Sequence, residues 1–162
     1  MRIRTAEVGD AAAIAEIYNL EVLESTATFD MVPRSVEEQR AWLRDRSGAH
    51  AVLVAETVEH GIVGFAALSP FRSRPAYSTT VENSVYVHRD HRKRGIALAL
   101  MIELVATARA KGFHSIIARI AEAQAASIAL HTAVGFELVG IEREIGRKFN
   151  RWLDVAVMQL ML

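Results

Sequence analysis

An α/β fold, a mixed sheet with helices on its faces, is what this sequence predicts. The β-branched and aromatic run from Val81 to Val87 reads as a strand. After it, the stretch from Leu98 to Gly112 reads as a helix, with Leu98, Met101, Ile102 and Val105 at spacings of three and four. A second apolar run, Ser115 to Ile120, follows, so two strands are joined by a helical crossover, the connection that parallel neighbours require. Around this unit the chain runs β, α, α, β, β, β, α, β, α, β, β, an order that packs helices on both faces of one sheet.

Each element has its own signal. Ile3 to Ala6 predicts a first strand. Asp10 is placed as N-cap of a helix in which Ile14, Ile17 and Tyr18 recur at helical spacing. Ser25 to Pro33 has no helical period and ends in a proline, which predicts a loop with an exposed aromatic, Phe29. Ser35 and Glu38 form a capping-box pattern before a helix carrying Trp42 and Leu43. Ala51 to Glu56 and Ile62 to Leu68 read as a hairpin joined through His60 and Gly61. Pro70 to Tyr77, two prolines enclosing two arginines, predicts a surface loop suited to be a ligand wall. Gly112 ends the long helix, and Ser127 to Val134 forms a short one stopped by Gly135. Phe136 to Glu144 and Trp152 to Leu162 close the sheet, with a turn containing Gly146 between them.

Bulk composition narrows the function. The 162 residues suit a single catalytic domain, taken here as 1–162, with 51% hydrophobic and 23% charged residues. Lys plus Arg and Asp plus Glu balance at 19 each, which argues against a dedicated nucleic-acid binder. Absence of cysteine excludes disulfides, Cys-zinc sites and a thiol nucleophile. No signal core and no stretch of ~20 apolar residues is present, so a cytoplasmic protein with no membrane partner is expected.

Between the central strand and helix lies His88-Arg89-Asp90-His91-Arg92-Lys93-Arg94-Gly95-Ile96-Ala97. A glycine turn opening a helix offers unpaired backbone N–H groups and the positive end of the helix dipole, which suit a phosphate or pyrophosphate. The turn has neither the Gly-Lys-Ser/Thr ending of a P-loop nor Gly-x-Gly-x-x-Gly. A basic helix cap, or a nuclear-localisation-like or nucleic-acid patch, remains open on this segment alone. His88 and His91, three apart in a basic loop, would repel a cation, and no metal is expected.

Arg92 to Ala97 matches R/Q-x-x-G-x-G/A, and in this it resembles the GNAT family of acyl-CoA-dependent N-acetyltransferases. The element order agrees along nearly the whole chain. The resemblance implies the GNAT fold, a twisted, mostly antiparallel mixed sheet of about seven strands with about four helices on its faces. It also implies acetyl-CoA as cosubstrate. Ile17 to Asn19 with Ser25 to Phe29, Phe71 to Tyr77, Thr80 to Val87, Leu130 to Phe136 and Gly146 to Asp154 resemble the phosphinothricin and methionine sulfoximine N-acetyltransferase branch. That branch acetylates the α-amino group of small amino-acid analogues and forms homodimers.

The resemblance distributes roles. Backbone groups of Lys93, Arg94, Gly95, Ile96, Ala97 and Leu98 would hold the pyrophosphate, with Arg92 and Lys93 adding charge. Val85, Tyr86 and Val87 would pair with the pantetheine arm. Gln124 stands where the family has asparagine, with Ser127 after it, which puts that pantetheine contact in question. Glu82 matches the branch's glutamate and would be general base; a structural carboxylate paired with an arginine is the other reading. His131 matches the branch where many relatives carry tyrosine; it either protonates the leaving thiolate or sits satisfied in its helix. Arg72 and Arg74, in the loop with Pro75, Ala76 and Tyr77, would bind the substrate's acidic end in bidentate geometry or remain solvated charges. Phe29 and Tyr77 would form an apolar wall, and Lys148 and Trp152 would complete either the pocket or the dimer seam. Other amines (a protein N-terminus, a polyamine, an aminoglycoside) and a non-catalytic acyl-CoA-binding module are the rival functions.

Overall fold

The computed structural model describes residues 1–46 and 48–162. Seven strands form one sheet in the order β1-β2-β3-β4-β5-β7-β6. They are β1 Arg2–Thr5, β2 Val52–Thr57, β3 Gly61–Pro70, β4 Thr80–Val87, β5 Ser115–Ala121, β6 Glu137–Lys148 and β7 Arg151–Met161. The helices are α1 Ala11–Glu24, α2 Val36–Arg44, α3 Ile96–Ala110 and α4 Ala125–Ala133. Every strand pair is antiparallel except β4 with β5, the pair joined by α3.

Strand alternation divides the core into two layers. Val81 of β4, with Leu53, Ala66 and Ile116, packs under Leu100, Met101 and Leu104 of α3. On the other face, Phe65 and Tyr86 pack with Ile14, Tyr18 and Val22 of α1. Tyr86 stacks on Phe65 at 5.3 Å and meets Tyr18 edge-on at 5.2 Å, so β4 is fixed from the α1 side by aromatic contacts.

The β4–β5 pair holds only at Thr80↔Ser115, Val81↔Ile116 and Glu82↔Ile117. Beyond Glu82, β4 remains paired with β3 as far as Val87, and β5 remains paired with β7 as far as Ala121. The two strands therefore diverge, and a cleft opens in the middle of the sheet.

Several local expectations change. The buried side of α3 is Ile96, Leu100, Met101, Leu104, Val105 and Ala108, whereas Leu98 and Ile102 face outward at 38% and 56% exposure. An α-helix that is apolar almost all round does not reveal its inward face by spacing alone, and the helix starting at Ile96 sets the phase. Gly146 lies within β6, paired with Leu153; the turn is made by Phe149 and Asn150, both at positive φ. Asp10 does not cap α1 through its side chain but binds Arg4 at 2.7 and 2.9 Å. The capping box at Ser35 and Glu38 is present as expected, and Gly112 at φ 80° follows α3.

Leu100→Ala should lower stability by about 2–5 kcal/mol in urea denaturation. Leu98→Ala and Ile102→Ala should stay within about 0.5 kcal/mol of the parent.

Candidate active site

The anion site begins at the C-terminal end of β4. Lys93 and Gly95 adopt positive φ, 60° and 75°, reversing the chain into α3. At Gly95 this conformation is free of the Cβ clash that any other residue except asparagine or aspartate meets strongly. The first intrahelical bond is Ala99 N to Gly95 O at 3.0 Å, so the amides of Ile96, Ala97 and Leu98 are left pointing out of the helix end. Lys93 and Arg94 are exposed beside them.

Arg92, expected to add its charge at the phosphates, is bound to α1 and to β4. Its Nη2 donates to Glu21 Oε1 at 2.6 Å and its Nε to the Val87 carbonyl at 3.3 Å. Arg89 donates to the same Glu21 oxygen at 3.2 Å, and the Ser25 hydroxyl donates to Oε2 at 2.6 Å. The Glu21 side chain is only 5% exposed. Burial alone would raise its pKa, but the Ser25 hydroxyl and the two guanidinium groups outweigh burial and hold it below the usual carboxylate value. Glu21 thus anchors the basic turn to α1. The Tyr18, Glu21, Val22 spacing was the available signal, a carboxylate on the buried stripe of a helix.

Val85, Tyr86 and Val87 line the open side of the cleft. Alternate backbone N–H and C=O groups of this stretch face away from β3, where β5 has withdrawn, so apart from the Val87 carbonyl, which Arg92 occupies, they have no strand partner there. Glu82 is the last β4 residue paired with β5, and so stands at the apex. It is half-buried and makes no hydrogen bond or ion pair among the described residues. Desolvation raises its pKa; Arg119 opposes this, and Glu142 adds to it. Arg119 itself donates to Glu142, so the expected arginine partner is nearby but engaged elsewhere.

His131 of α4 meets β4 from the opposite face. Its Nδ1 lies 2.7 Å from the Ser127 carbonyl and its Nε2 3.0 Å from Asn83 Nδ2. Burial lowers its pKa, partly offset by the Ser127 carbonyl. Both ring nitrogens thus have a partner within the ring's own layer. Gln124 is exposed at the N-terminus of α4, with Nε2 3.5 Å from Thr26 Oγ1. Ser127 contributes its carbonyl to His131.

Arg72, Arg74 and Tyr77 come together with Ser73 around an open cavity of about 470 Å³. Pro75 and Ala76 lie exposed in the same loop, and Arg72 lies over Phe71 and Tyr77 at 4.9 and 5.6 Å. Phe29 does not line that cavity. It covers Gly146, where an added Cβ would fall 2.2 Å from the ring. A larger depression, about 500 Å³, lies between β1, β2 and the far end of α3, away from the glycine turn.

Lys148 is 3% exposed, and its ammonium donates to the Thr28 and Glu21 carbonyls at 2.8 and 3.3 Å. Burial lowers its pKa against the pull of Asp30 and Glu21. It fixes the 25–30 loop beside the site, while Trp152 points outward, 62% exposed, under Arg147. The described residues hold no group of three or more His, Cys, Asp or Glu placed for a metal. None of their helices is long and apolar enough to cross a membrane.

Residues 3–157 match the acetyltransferase (GNAT) domain family. The chain belongs to the GNAT acetyltransferase family. The L-methionine sulfoximine/L-methionine sulfone acetyltransferase of Pseudomonas aeruginosa is 40% identical over 162 residues, 99% of this chain and 94% of its own. A GNAT superfamily phosphinothricin acetyltransferase from Sinorhizobium meliloti, solved in complex with AcCoA, has a TM-score of 0.95 at 40% identity, covering 99% of this chain and 88% of its own. The ribosomal-protein-alanine N-acetyltransferase of Brucella melitensis has a TM-score of 0.97 at 39% identity, covering 100% of both chains. This acetyltransferase is accordingly an acetyl-CoA-dependent N-acetyltransferase, and its helix-end amides and diverging strands are suited to that cosubstrate.

Glu21→Gln should loosen the basic turn and raise KM for acetyl-CoA several-fold with little change in KM for the amine. A depressed carboxylate stabilises the fold above its unfolded pKa, about 4.5, and loses that contribution as pH falls through the folded value. The stability gap between the parent and Glu21→Gln should therefore narrow below about pH 4.5 in denaturation curves.

Proposed function

We propose that this chain acetylates the α-amino group of small amino-acid analogues of the phosphinothricin, methionine sulfoximine and methionine sulfone class. The observation that carries the mechanism is Glu82, an unpaired, half-buried carboxylate of raised pKa at the apex of the β4–β5 cleft. Similarity to proteins named for those substrates supports the amino-acid class.

Glu82 takes a proton from the substrate ammonium, directly or through water, and the neutral amine attacks the thioester carbonyl. Collapse of the tetrahedral adduct releases the thiolate. Two protons leave the nitrogen in all; one ends on the CoA thiol and one in solvent. His131 is the candidate donor to sulfur, a step that requires its ring in the cationic state. Arg72 and Arg74 receive the carboxylate or phosphinate end of the substrate, with Tyr77 as the wall of that cavity. Phe29 forms a separate apolar lip, over Gly146. We further propose a homodimer, supported by the exposed apolar side chains Leu138, Val139, Ile141 and Ile145 on the edge strand β6.

A second reading is acetylation of a protein N-terminus, favoured by the likeness to the ribosomal-protein-alanine enzyme. CoA-thiol release decides between them when phosphinothricin, methionine sulfoximine, methionine sulfone, ordinary amino acids and a peptide with N-terminal alanine are compared. The amino-acid analogues should have the higher kcat/KM, and a preference for the peptide would reverse the assignment.

Glu82→Gln should lower kcat by about 10² or more while leaving KM for acetyl-CoA nearly unchanged. In the parent, kcat/KM should rise with pH along a limb lying above the ordinary glutamate value, and that limb should vanish in Glu82→Gln. Arg72→Lys or Arg74→Lys should raise KM for the amino-acid analogue more than for acetyl-CoA.

A further inference from the structure

Asn83 is next to Glu82 in β4, 7% exposed, and its side chain enters the layer beneath α3 and α4. One amide group is used: Nδ2 lies 3.0 Å from His131 Nε2 and 3.5 Å from the Met101 sulfur. The other is not. Asn83 Oδ1 is buried without a hydrogen-bond partner. A stranded buried acceptor costs about 1–3 kcal/mol, so a carboxamide at this place needs a reason.

The neighbouring ring supplies one. The Ser127 carbonyl only accepts, so His131 Nδ1 carries hydrogen. In the neutral ring Nε2 is then an acceptor, and Asn83 donates to it through Nδ2. In the cationic ring Nε2 is a donor, and the Asn83 NH2 group would oppose it. Half a turn of the carboxamide presents Oδ1 to Nε2–H, so the same side chain satisfies either charge state. Aspartate could serve only the cation, and an apolar residue neither.

Resting on the N-acetyltransferase reading above, we propose that Asn83 is the positioning residue that allows buried His131 to gain and lose a proton in place, its carboxamide turning over with the ring's charge. Nothing else on the ring competes for this role. Among the described residues His131 meets the Ser127 carbonyl from its own helix, Asn83 from β4 and the edge of Phe136 at 5.0 Å. Met101 of α3 adds a thioether against Asn83, and no charged side chain shifts the ring.

The test is ¹⁵N NMR of the histidine side chains in the full chain between pH 5 and 9, with Asn83→Asp and Asn83→Leu beside the parent, together with the pH profile of kcat. In the parent, His131 should be the Nδ1–H tautomer when neutral. Asn83→Asp should raise the ring's proton affinity at least tenfold and move the corresponding limb of the kcat profile with it. Asn83→Leu should lower that affinity tenfold or more while retaining the Nδ1–H tautomer. An Nε2–H tautomer in the parent, a measurement that needs no variant, would overturn the proposal. So would unchanged His131 titration in folded Asn83→Asp. The function itself fails separately, as absence of CoA-thiol release by the parent, and this leaves the NMR outcome readable.

Discussion

The constraint on which the site depends is the brevity of one strand pairing. A parallel pair joined by a helix would ordinarily run the length of both strands. Here β4 and β5 keep three residue pairs and then part, because each is more fully held by its antiparallel neighbour, β4 by β3 and β5 by β7. The cleft is therefore built into the sheet and needs no induced opening. Its apex is set by Glu82, its floor by the two hydrophobic layers, and its mouth by the glycine turn that β4 feeds directly.

Around this gap the chain uses charge, buried at Glu21 and Lys148 and exposed at Glu122 and Arg151, to hold parts that hydrophobic packing does not reach. Glu21 draws Arg89 and Arg92 onto α1, Lys148 closes on two carbonyls of the 21–28 segment, and Glu122 accepts from Thr26 and pairs with Arg151 at 2.7 Å. Removing the guanidinium partners of buried Glu21 strands its carboxylate in low dielectric, so these contacts specify geometry more than they add stability. Between them they set the basic turn, the loop carrying Phe29 and the β6–β7 hairpin around the central strand.

Much of this was legible in the sequence. The element order, the crossover and the capping box at Ser35 follow from local periodicity and from residues with fixed stereochemical uses, which act over a few positions. The positive-φ turn at Gly95 and the half-buried place of Glu82 stand out for the same reason: each residue is anomalous in its own segment. The orientation of α3 was not, because Leu98 and Ile102 are as apolar as Leu100 and Leu104, and only the sheet chooses between them. Gly146 reads as a turn residue in the sequence, but glycine also serves close approach, here to the Phe29 ring. Contacts such as Asn83 with His131, or Arg92 with Glu21, join residues 48 and 71 positions apart. No single-segment pattern encodes them.

Lys148 has a consequence in time as well as space. The carbonyl of Thr28 leaves the ribosome 120 residues before the ammonium group that will hold it. At about 5–20 residues per second, the early loop spends several seconds at least without its anchor, while α1 and the first strands already have partners. The wall of the cleft is thus completed by the β6–β7 hairpin, synthesised long after α1, so a growing chain has a nascent fold well before that wall is in place.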